Sequence, residues 1–362
     1  MFHSVAIATA KWRASTSIAQ NRPPGLARLR GAPASSRLAT LEGTGVRCYD
    51  VGASGPSPTG AGRLFSPGLF SPSTANQRAA NTAPSNLLSI SPEPADAHFD
   101  VSGLRLHYVD WGNEEARPFV LLHGLQDCAR SWDHFASSAR ARFRVVALDH
   151  RGHGDSDWAP EGRYRLRDYV SDVEGLFSHL GLRDCVLVGH SAGGRNAFMF
   201  AVSHPDLVRA LIIVDIDPDE INPESRQMFE RYSHEPSDWE SIEAVVERLR
   251  SRQPNSTDEM LLHQALHMTR ELEGGRRVWK RDPTLLAGYE RPDLWKEWSE
   301  LRCPTLIIRG RQSDLLNHEV AVRMREALPG SRLAELEGGG HWFYQEFPGA
   351  FERTVRWFIG GL

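Results

Sequence analysis

The sequence predicts an α/β protein in which helices flank a mostly parallel sheet. Short, nearly continuous apolar runs at residues 119–122, 145–148 and 186–188 are typical of strands that are buried on both faces. Two further runs follow at residues 211–214 and 306–308. Because stretches with helical periodicity separate these runs, the chain alternates strand and helix, which indicates parallel strands joined by helical crossovers.

The remaining elements support the same order. Residues 104–111 alternate apolar and polar side chains as in a half-buried strand, and residues 332–337 form the last predicted strand. The helix-like stretches lie between or after the strands, at residues 131–140, 166–180, 193–204, 319–328 and 345–359.

An insertion interrupts this pattern at residues 217–301. The stretch predicts several amphipathic helices and contains Trp239, Trp279, Trp295 and Trp298. It follows one core strand and precedes the next. We therefore expect a helical cap over the carboxyl ends of the strands, with the core formed by residues 97–216 and 302–362.

The first part of the chain has a different composition. Residues 1–96 are rich in Ser, Ala, Pro and Gly, and residues 1–41 contain no acidic side chain. Such a segment buries too little apolar surface to offset its ordering entropy, so we expect a disordered or targeting extension outside the fold. In one interpretation, the segment is an upstream stretch read as coding, and the protein is cytoplasmic. In the other, residues 1–41 are a mitochondrial or plastid transit peptide.

Composition bears on the class of ligand. The net charge of −4 lacks the basic excess of a nucleic-acid-binding protein, and no apolar run is long enough to span a membrane. The widely spaced cysteines predict neither a disulfide framework nor a zinc site: Cys48, Cys128, Cys185 and Cys303. We expect a small-molecule substrate, whereas the oligomeric state stays open.

A candidate nucleophile lies at the end of one predicted strand. Residues 189–193 read Gly-His-Ser-Ala-Gly, between an apolar strand and a helix. A strand-to-helix turn this tight strains the central residue, and the glycines let neighbouring chain approach. The pattern therefore predicts that the hydroxyl of Ser191 is raised above the sheet as a nucleophile.

A serine nucleophile needs a base and an acid later in the chain. His341 follows three glycines in the loop after the last predicted strand, which makes it the expected base. The short loop after residues 306–308 favours Asp314 as the acid. Asp215, directly after residues 211–214, is the alternative.

Backbone N–H groups are expected to stabilise the developing oxyanion. The His-Gly turn after residues 119–122 predicts one donor at Leu125, and the turn of the nucleophile predicts the other at Ala192. We interpret His123 in the same turn as structural.

Residues 98–362 resemble the α/β-hydrolase superfamily, in the serine-nucleophile branch with a helical cap. Besides the motifs above, residues 149–156 are similar to an Asp-x-Arg-Gly-x-Gly-x-Ser turn of that branch. The resemblance implies an eight-stranded sheet. Epoxide hydrolases and haloalkane dehalogenases of this branch carry aspartate where this chain has Ser191, so acyl chemistry is favoured.

The expected reaction is hydrolysis of a small or medium organic ester or lactone through an acyl-enzyme, without a cofactor. Carbon–carbon bond hydrolysis, perhydrolase-like haloperoxidase activity and a non-catalytic ligand receptor are the alternatives on the same fold. Trp132, Trp342 and Phe343 are candidates for the substrate pocket. His263 and His267 have the spacing of metal ligands on a helix, but no Glu or Cys near them completes a set, so we expect no metal.

Overall fold

The computed structural model describes residues 37–41, 45–50, 93–220 and 223–362. Most of the expected N-terminal extension therefore lies outside the described residues. No helix among those residues is long and apolar enough to cross a membrane.

The strands of the described residues are numbered in chain order: β1 (Arg37–Leu41), β2 (Val46–Asp50), β3 (Ala95–Val101), β4 (Leu104–Asp110), β5 (Pro118–Leu122), β6 (Arg144–Leu148), β7 (Cys185–His190), β8 (Val208–Val214), β9 (Asp238–Trp239), β10 (Thr269–Glu271), β11 (Arg277–Trp279), β12 (Thr305–Gly310) and β13 (Arg332–Leu336).

The helices of the same residues are α1 (Asp133–Ala139), α2 (Leu166–Leu180), α3 (Ala192–Ser203), α4 (Pro223–Ser233), α5 (Ile242–Arg252), α6 (Asp258–Met268), α7 (Leu285–Gly288), α8 (Trp295–Ser299), α9 (His318–Ala327), α10 (Phe343–Glu346) and α11 (Pro348–Ile359).

A ten-stranded sheet forms the centre of the molecule, in the order β1-β2-β13-β12-β8-β7-β5-β6-β4-β3. All pairs from β13 to β6 are parallel, whereas the strands at both edges pair antiparallel. Apolar clusters cover both faces of the sheet. The predicted α/β class with a mostly parallel sheet is confirmed, and the carboxyl ends of the parallel strands share one edge.

The sheet has two strands more than the eight we expected, and they come from the supposed extension. Strand β2 pairs with β13 and β1 pairs with β2. Val46 and Cys48 are fully buried in the core, and the Tyr49 hydroxyl donates to Glu335 at 2.9 Å. The expectation that residues 1–96 lie outside the fold is therefore wrong for residues 37–41 and 46–50. Their alternation of apolar and polar side chains is too short to stand out within a stretch rich in small residues.

The insertion between β8 and β12 contains helices α4 to α8, as predicted, together with a small antiparallel sheet in the order β10-β11-β9. A separate apolar cluster fills it, with Val245, Leu249 and Leu261 at its centre. The sequence does not predict this small sheet, because two- and three-residue strands leave no periodicity to detect.

Candidate active site

Ser191 lies between β7 and α3 in the strained conformation that the motif predicts. Its φ of 52° and ψ of −124° lie outside the backbone conformations that non-glycine residues normally adopt. The N–H of Ser191 donates to the carbonyl of Val214 at 2.9 Å, which ties the turn to β8.

Close contacts explain the glycines around this serine. A Cβ at Gly189 would lie 2.3 Å from the carbonyl oxygen of Gly193. A Cβ at Gly193 would lie 2.4 Å from the carbonyl oxygen of His123 and 2.5 Å from that of Leu122. Real Cβ atoms do not approach so closely, so only glycine allows α3 to begin this near to β5 and β7.

His341 is held by a buried carboxylate. Its Nδ1 lies 2.7 Å from Oδ2 of Asp215, which is fully buried at the end of β8. The N–H of Gly310 donates to the other oxygen of Asp215 at 3.1 Å, and the hydroxyl of Ser313 donates to Oδ2. This pair has the arrangement in which a carboxylate orients a catalytic imidazole.

The expectation that Asp314 meets the imidazole is therefore corrected in favour of Asp215. Asp314 is exposed and lines a cavity beside His341. The loop after β12, where we expected the acid, instead supplies hydrogen-bond donors to Asp215 through Gly310 and Ser313. The sequence carried a usable signal, because Asp215 directly follows a buried strand at the same edge of the sheet.

Burial controls the charge of this pair. It lowers the pKa of His341 to about 3, and the positive charges of Arg252 and Arg291 act in the same direction. It also raises the pKa of Asp215, although the hydrogen bonds from Ser313 and Gly310 oppose the rise by stabilising the carboxylate. A neutral imidazole at neutral pH is the form that accepts a proton.

His190 connects the serine turn to the histidine loop. Its Nε2–H donates to the carbonyl of His341 at 2.9 Å, and the two rings lie 4.5 Å apart between centroids. The sequence did not indicate a role for His190. The contact holds the loop of His341 against the residue that precedes Ser191.

The expected oxyanion donors lie next to the serine turn. Ala192 is the first residue of α3, so its N–H has no acceptor within the helix. A Cβ at Gly124 would lie 2.9 Å from Cβ of Ser191, so the turn that carries Leu125 runs directly against the serine. This proximity supports the expectation for Leu125 and Ala192.

His123, which we interpreted as structural, makes structural contacts, and so do residues of the Asp-x-Arg-Gly turn. Nδ1 of His123 donates to the carbonyl of Gly124 at 2.7 Å, and its Nε2 accepts from the N–H of His150 at 3.0 Å. In the Asp-x-Arg-Gly turn, Asp149 accepts from the N–H of Ala129 at 2.6 Å. Arg151 forms a buried ion pair with Asp172 at 2.6 Å.

The three aromatic pocket candidates have different surroundings. Trp132 and Phe343 are fully buried in the core, and their rings pack on Phe351. Trp342 lines a cavity of about 450 Å³ that also contains His341. The expectation of a pocket residue is thus supported for Trp342 and not for Trp132 or Phe343, whose side chains fill the interior.

A larger, mostly apolar cavity of about 600 Å³ lies between cap and core. Its walls include Gln126, Trp158, Phe229, Tyr232, Trp279 and Leu286. Tyr232 lines both cavities, so the two spaces share one wall. Residues of the insertion therefore line the space beside His341.

The fold brings a third side chain to the two cap histidines. Asp133, His263 and His267 offer ligand atoms that all lie within 4.8 Å of one another. Nε2 of His263 lies 3.0 Å from Asp133, whose same oxygen also accepts from Arg130 at 2.7 Å. One oxygen of the carboxylate is thus engaged by two donors, the other oxygen is buried without a hydrogen-bond partner, and the group joins the cap to the core.

A serine turn next to a carboxylate-held histidine, at the carboxyl edge of a mostly parallel sheet, defines a hydrolase of the α/β class. Residues 117–348 match the family described as alpha/beta hydrolase fold, and the chain belongs to that family. It is similar to 2-(acetamidomethylene)succinate hydrolase of Mesorhizobium japonicum, with 28% identity over 75% of this chain and 99% of that protein.

Two other comparisons agree with the family. A crystal structure of E-2-(acetamidomethylene)succinate hydrolase has a TM-score of 0.68 and 26% identity, covering 74% of this chain and all of the other. Mouse epoxide hydrolase 4 is 39% identical over 32% of this chain and 32% of its own length.

Proposed function

We propose that this protein is a serine hydrolase that cleaves a small or medium organic ester or lactone through an acyl-enzyme. The observation that carries the proposal is the 2.7 Å contact between Nδ1 of His341 and buried Asp215, beside the strained turn of Ser191. Asp215 holds the imidazole so that Nε2 is free to act as a base.

In the proposed reaction, His341 removes the proton of Ser191 as the hydroxyl oxygen attacks the substrate carbonyl. The N–H groups of Leu125 and Ala192 donate to the oxyanion. The leaving group takes the proton from His341, and water then attacks the acyl-enzyme with His341 again as base. Besides the substrate and water, each step uses only residues of this chain.

A panel of esters, lactones and thioesters tests the substrate class, and a fluorophosphonate probe tests Ser191. Vinylogous diketones and a bromination assay with peroxide and acetate belong on the same panel, because they detect carbon–carbon bond hydrolysis and haloperoxidase activity. Tight ligand binding with no turnover of any of these would favour a receptor.

Hydrolysis of an amide-type bond is a second candidate. The relative with 28% identity over 75% of this chain is named for hydrolysis of an acetamidomethylene compound. The same serine chemistry serves amides and esters. Adding 2-(acetamidomethylene)succinate to the panel separates the two candidates.

A further inference from the structure

The cavity beside His341 carries an excess of positive charge. Cap residues Arg231, Arg248 and Arg252 line it. Among the described residues that line it, Asp314 provides the one carboxylate. A neutral ester carries no charge that these three arginines could bind.

The three arginines differ in how far their charges are compensated. Arg248 forms an ion pair with Glu235 at 2.5 Å, and Arg231 is exposed to solvent. Arg252 is half-buried and has only weak contacts, with the carbonyl of Gln126 at 3.4 Å and the sulfur of Met268 at 3.7 Å. Its Nε is buried and has no hydrogen-bond partner.

Two buried arginines of the described residues have carboxylate partners. Arg151 pairs with Asp172 at 2.6 Å, and Arg291 pairs with Asp217 at 2.6 Å. A buried guanidinium without such a partner is costly, because it has lost water and gained no anion in return. Arg252, by contrast, has a buried Nε without a partner and no carboxylate among its described contacts.

The position of Arg252 is suited to a ligand. Its guanidinium lies over the ring of Trp342, with 4.5 Å between Cζ and the ring centroid. Stacking on an aromatic ring orients the planar donor fork, which matches the two oxygens of a carboxylate. Arg252, His341 and Trp342 line the same cavity, so a group bound to Arg252 there lies in the same space as the proposed catalytic base.

We infer that Arg252 binds a carboxylate of the substrate, so that the preferred substrates are anionic esters such as half-esters of dicarboxylic acids. For turnover this inference rests on the proposed function, whereas binding of the anion does not. A bound carboxylate would also offset the positive charge that Arg252 exerts on His341 and would favour the imidazolium formed during the reaction.

Paired substrates test the inference. The methyl half-esters of succinate, glutarate and adipate carry one carboxylate, and their dimethyl esters carry none. We expect kcat/KM to be at least about tenfold higher for one half-ester than for its dimethyl ester, as one hydrogen-bonded charge contributes. A preference for all three dimethyl esters contradicts the inference.

Variants identify the residue responsible. Arg252→Gln should lower kcat/KM for the half-ester about 10- to 100-fold more than for the dimethyl ester, and Arg252→Lys should restore part of the difference. Arg250→Gln is the matched control, because Arg250 lies on the same helix and pairs outside the cavity with Glu247 and Asp258. Equal losses on both substrates in Arg252→Gln would indicate a structural role and overturn the inference.

Binding separates this inference from the proposed function. Calorimetry with the Ser191→Ala protein and each half-ester needs no turnover. Binding that Arg252→Gln weakens at least about tenfold supports the subsite even if no ester is hydrolysed. Turnover of esters without any such difference supports the hydrolase and rejects the subsite.

Discussion

Backbone strain marks two residues of the proposed catalytic site. Ser191 and Asp215 have φ values of 52° and 53°, a region that costs a non-glycine residue free energy. Both follow the ends of adjacent strands, and the N–H of Ser191 donates to Val214 while that of Asp215 donates to Ile308. The sheet thus holds both side chains in conformations that present them at its carboxyl edge.

Replacing the nucleophile should remove activity without unfolding the protein. We expect Ser191→Ala to lower kcat by about 10⁴-fold or more, as in other serine triads. A fluorophosphonate probe should label the parent protein and not the variant, while circular dichroism stays unchanged. Equal labelling of both proteins would remove Ser191 from the mechanism.

The acid is tested by a matched pair of isosteric changes. Asp215→Asn should lower kcat by about 10⁴-fold, because an amide at this position favours the wrong tautomer of His341. Asp314→Asn should retain most activity on a neutral ester, since Asp314 makes no hydrogen bond to the imidazole among the described contacts. If Asp314→Asn were the inactive variant, the acid would be Asp314 after all.

At the scale of elements, the junction of β7, α3 and the turn after β5 depends on glycine. Strand β7 and helix α3 approach so closely that a single methyl group would collide with backbone. Packing of backbone against backbone cannot relax by rotation of a side chain, so such sites tolerate little change.

Gly193→Ala should therefore destabilise the protein by about 1–3 kcal/mol and lower its Tm, because the new Cβ meets the carbonyls of His123 and Leu122. Gly349→Ala is the control. It lies in α11, where the nearest atom is the flexible end of Arg353 at 3.3 Å, so we expect unchanged or slightly higher stability. Thermal unfolding measures the Tm of both variants. Equal Tm values for Gly193→Ala and Gly349→Ala would contradict the close packing of the turn.

At the scale of the whole molecule, the N-terminal strands complete one edge of the sheet. We expect a protein that starts at residue 93 to be less stable than one that starts at residue 36, by about 3 kcal/mol or more. The shorter protein loses the buried side chains of Val46 and Cys48 and uncovers the edge of β13. Urea unfolding measures the difference, and equal free energies of unfolding would show that β2 contributes nothing.

Buried histidines should make the fold sensitive to acid. Burial lowers the pKa values of His150, His153, His190 and His267 below the value of an unfolded chain. Below pH about 6.5 the unfolded state therefore binds more protons than the folded state, and stability falls as the pH falls. Three buried aspartates oppose this effect, because burial raises the pKa of Asp172 to about 6 and also raises the pKa values of Asp215 and Asp217.

The measurement is the free energy of unfolding at pH 7 and at pH 5. A decrease of several kcal/mol is expected, since each such histidine contributes up to about 1.4 kcal/mol per pH unit. His107 behaves differently. Burial lowers its pKa, but its hydrogen bonds to Asp149 and Asp96 outweigh burial and raise the pKa to about 9, so His107 stabilises the fold throughout this pH range. Constant stability between the two pH values would contradict the burial of neutral histidines.

The sequence by itself determined the α/β class, the order of core elements from residue 104 onward and the serine turn. These features are local: a buried strand, a helical period or a glycine-flanked serine can be read within about ten residues. Helix α2 was predicted with its observed bounds, and α3 within one residue. The loop position of His341 was accessible for the same reason.

Only the tertiary structure decided which aspartate meets His341, where residues 46–50 pair, and which cavity Arg252 lines. Asp215 and His341 are 126 residues apart, and both candidate aspartates follow strands that end at one edge of the sheet. Their relative positions depend on strand register and on the hydroxyl of Ser313. Periodicity specifies which elements form, whereas contacts between distant side chains depend on how those elements pack.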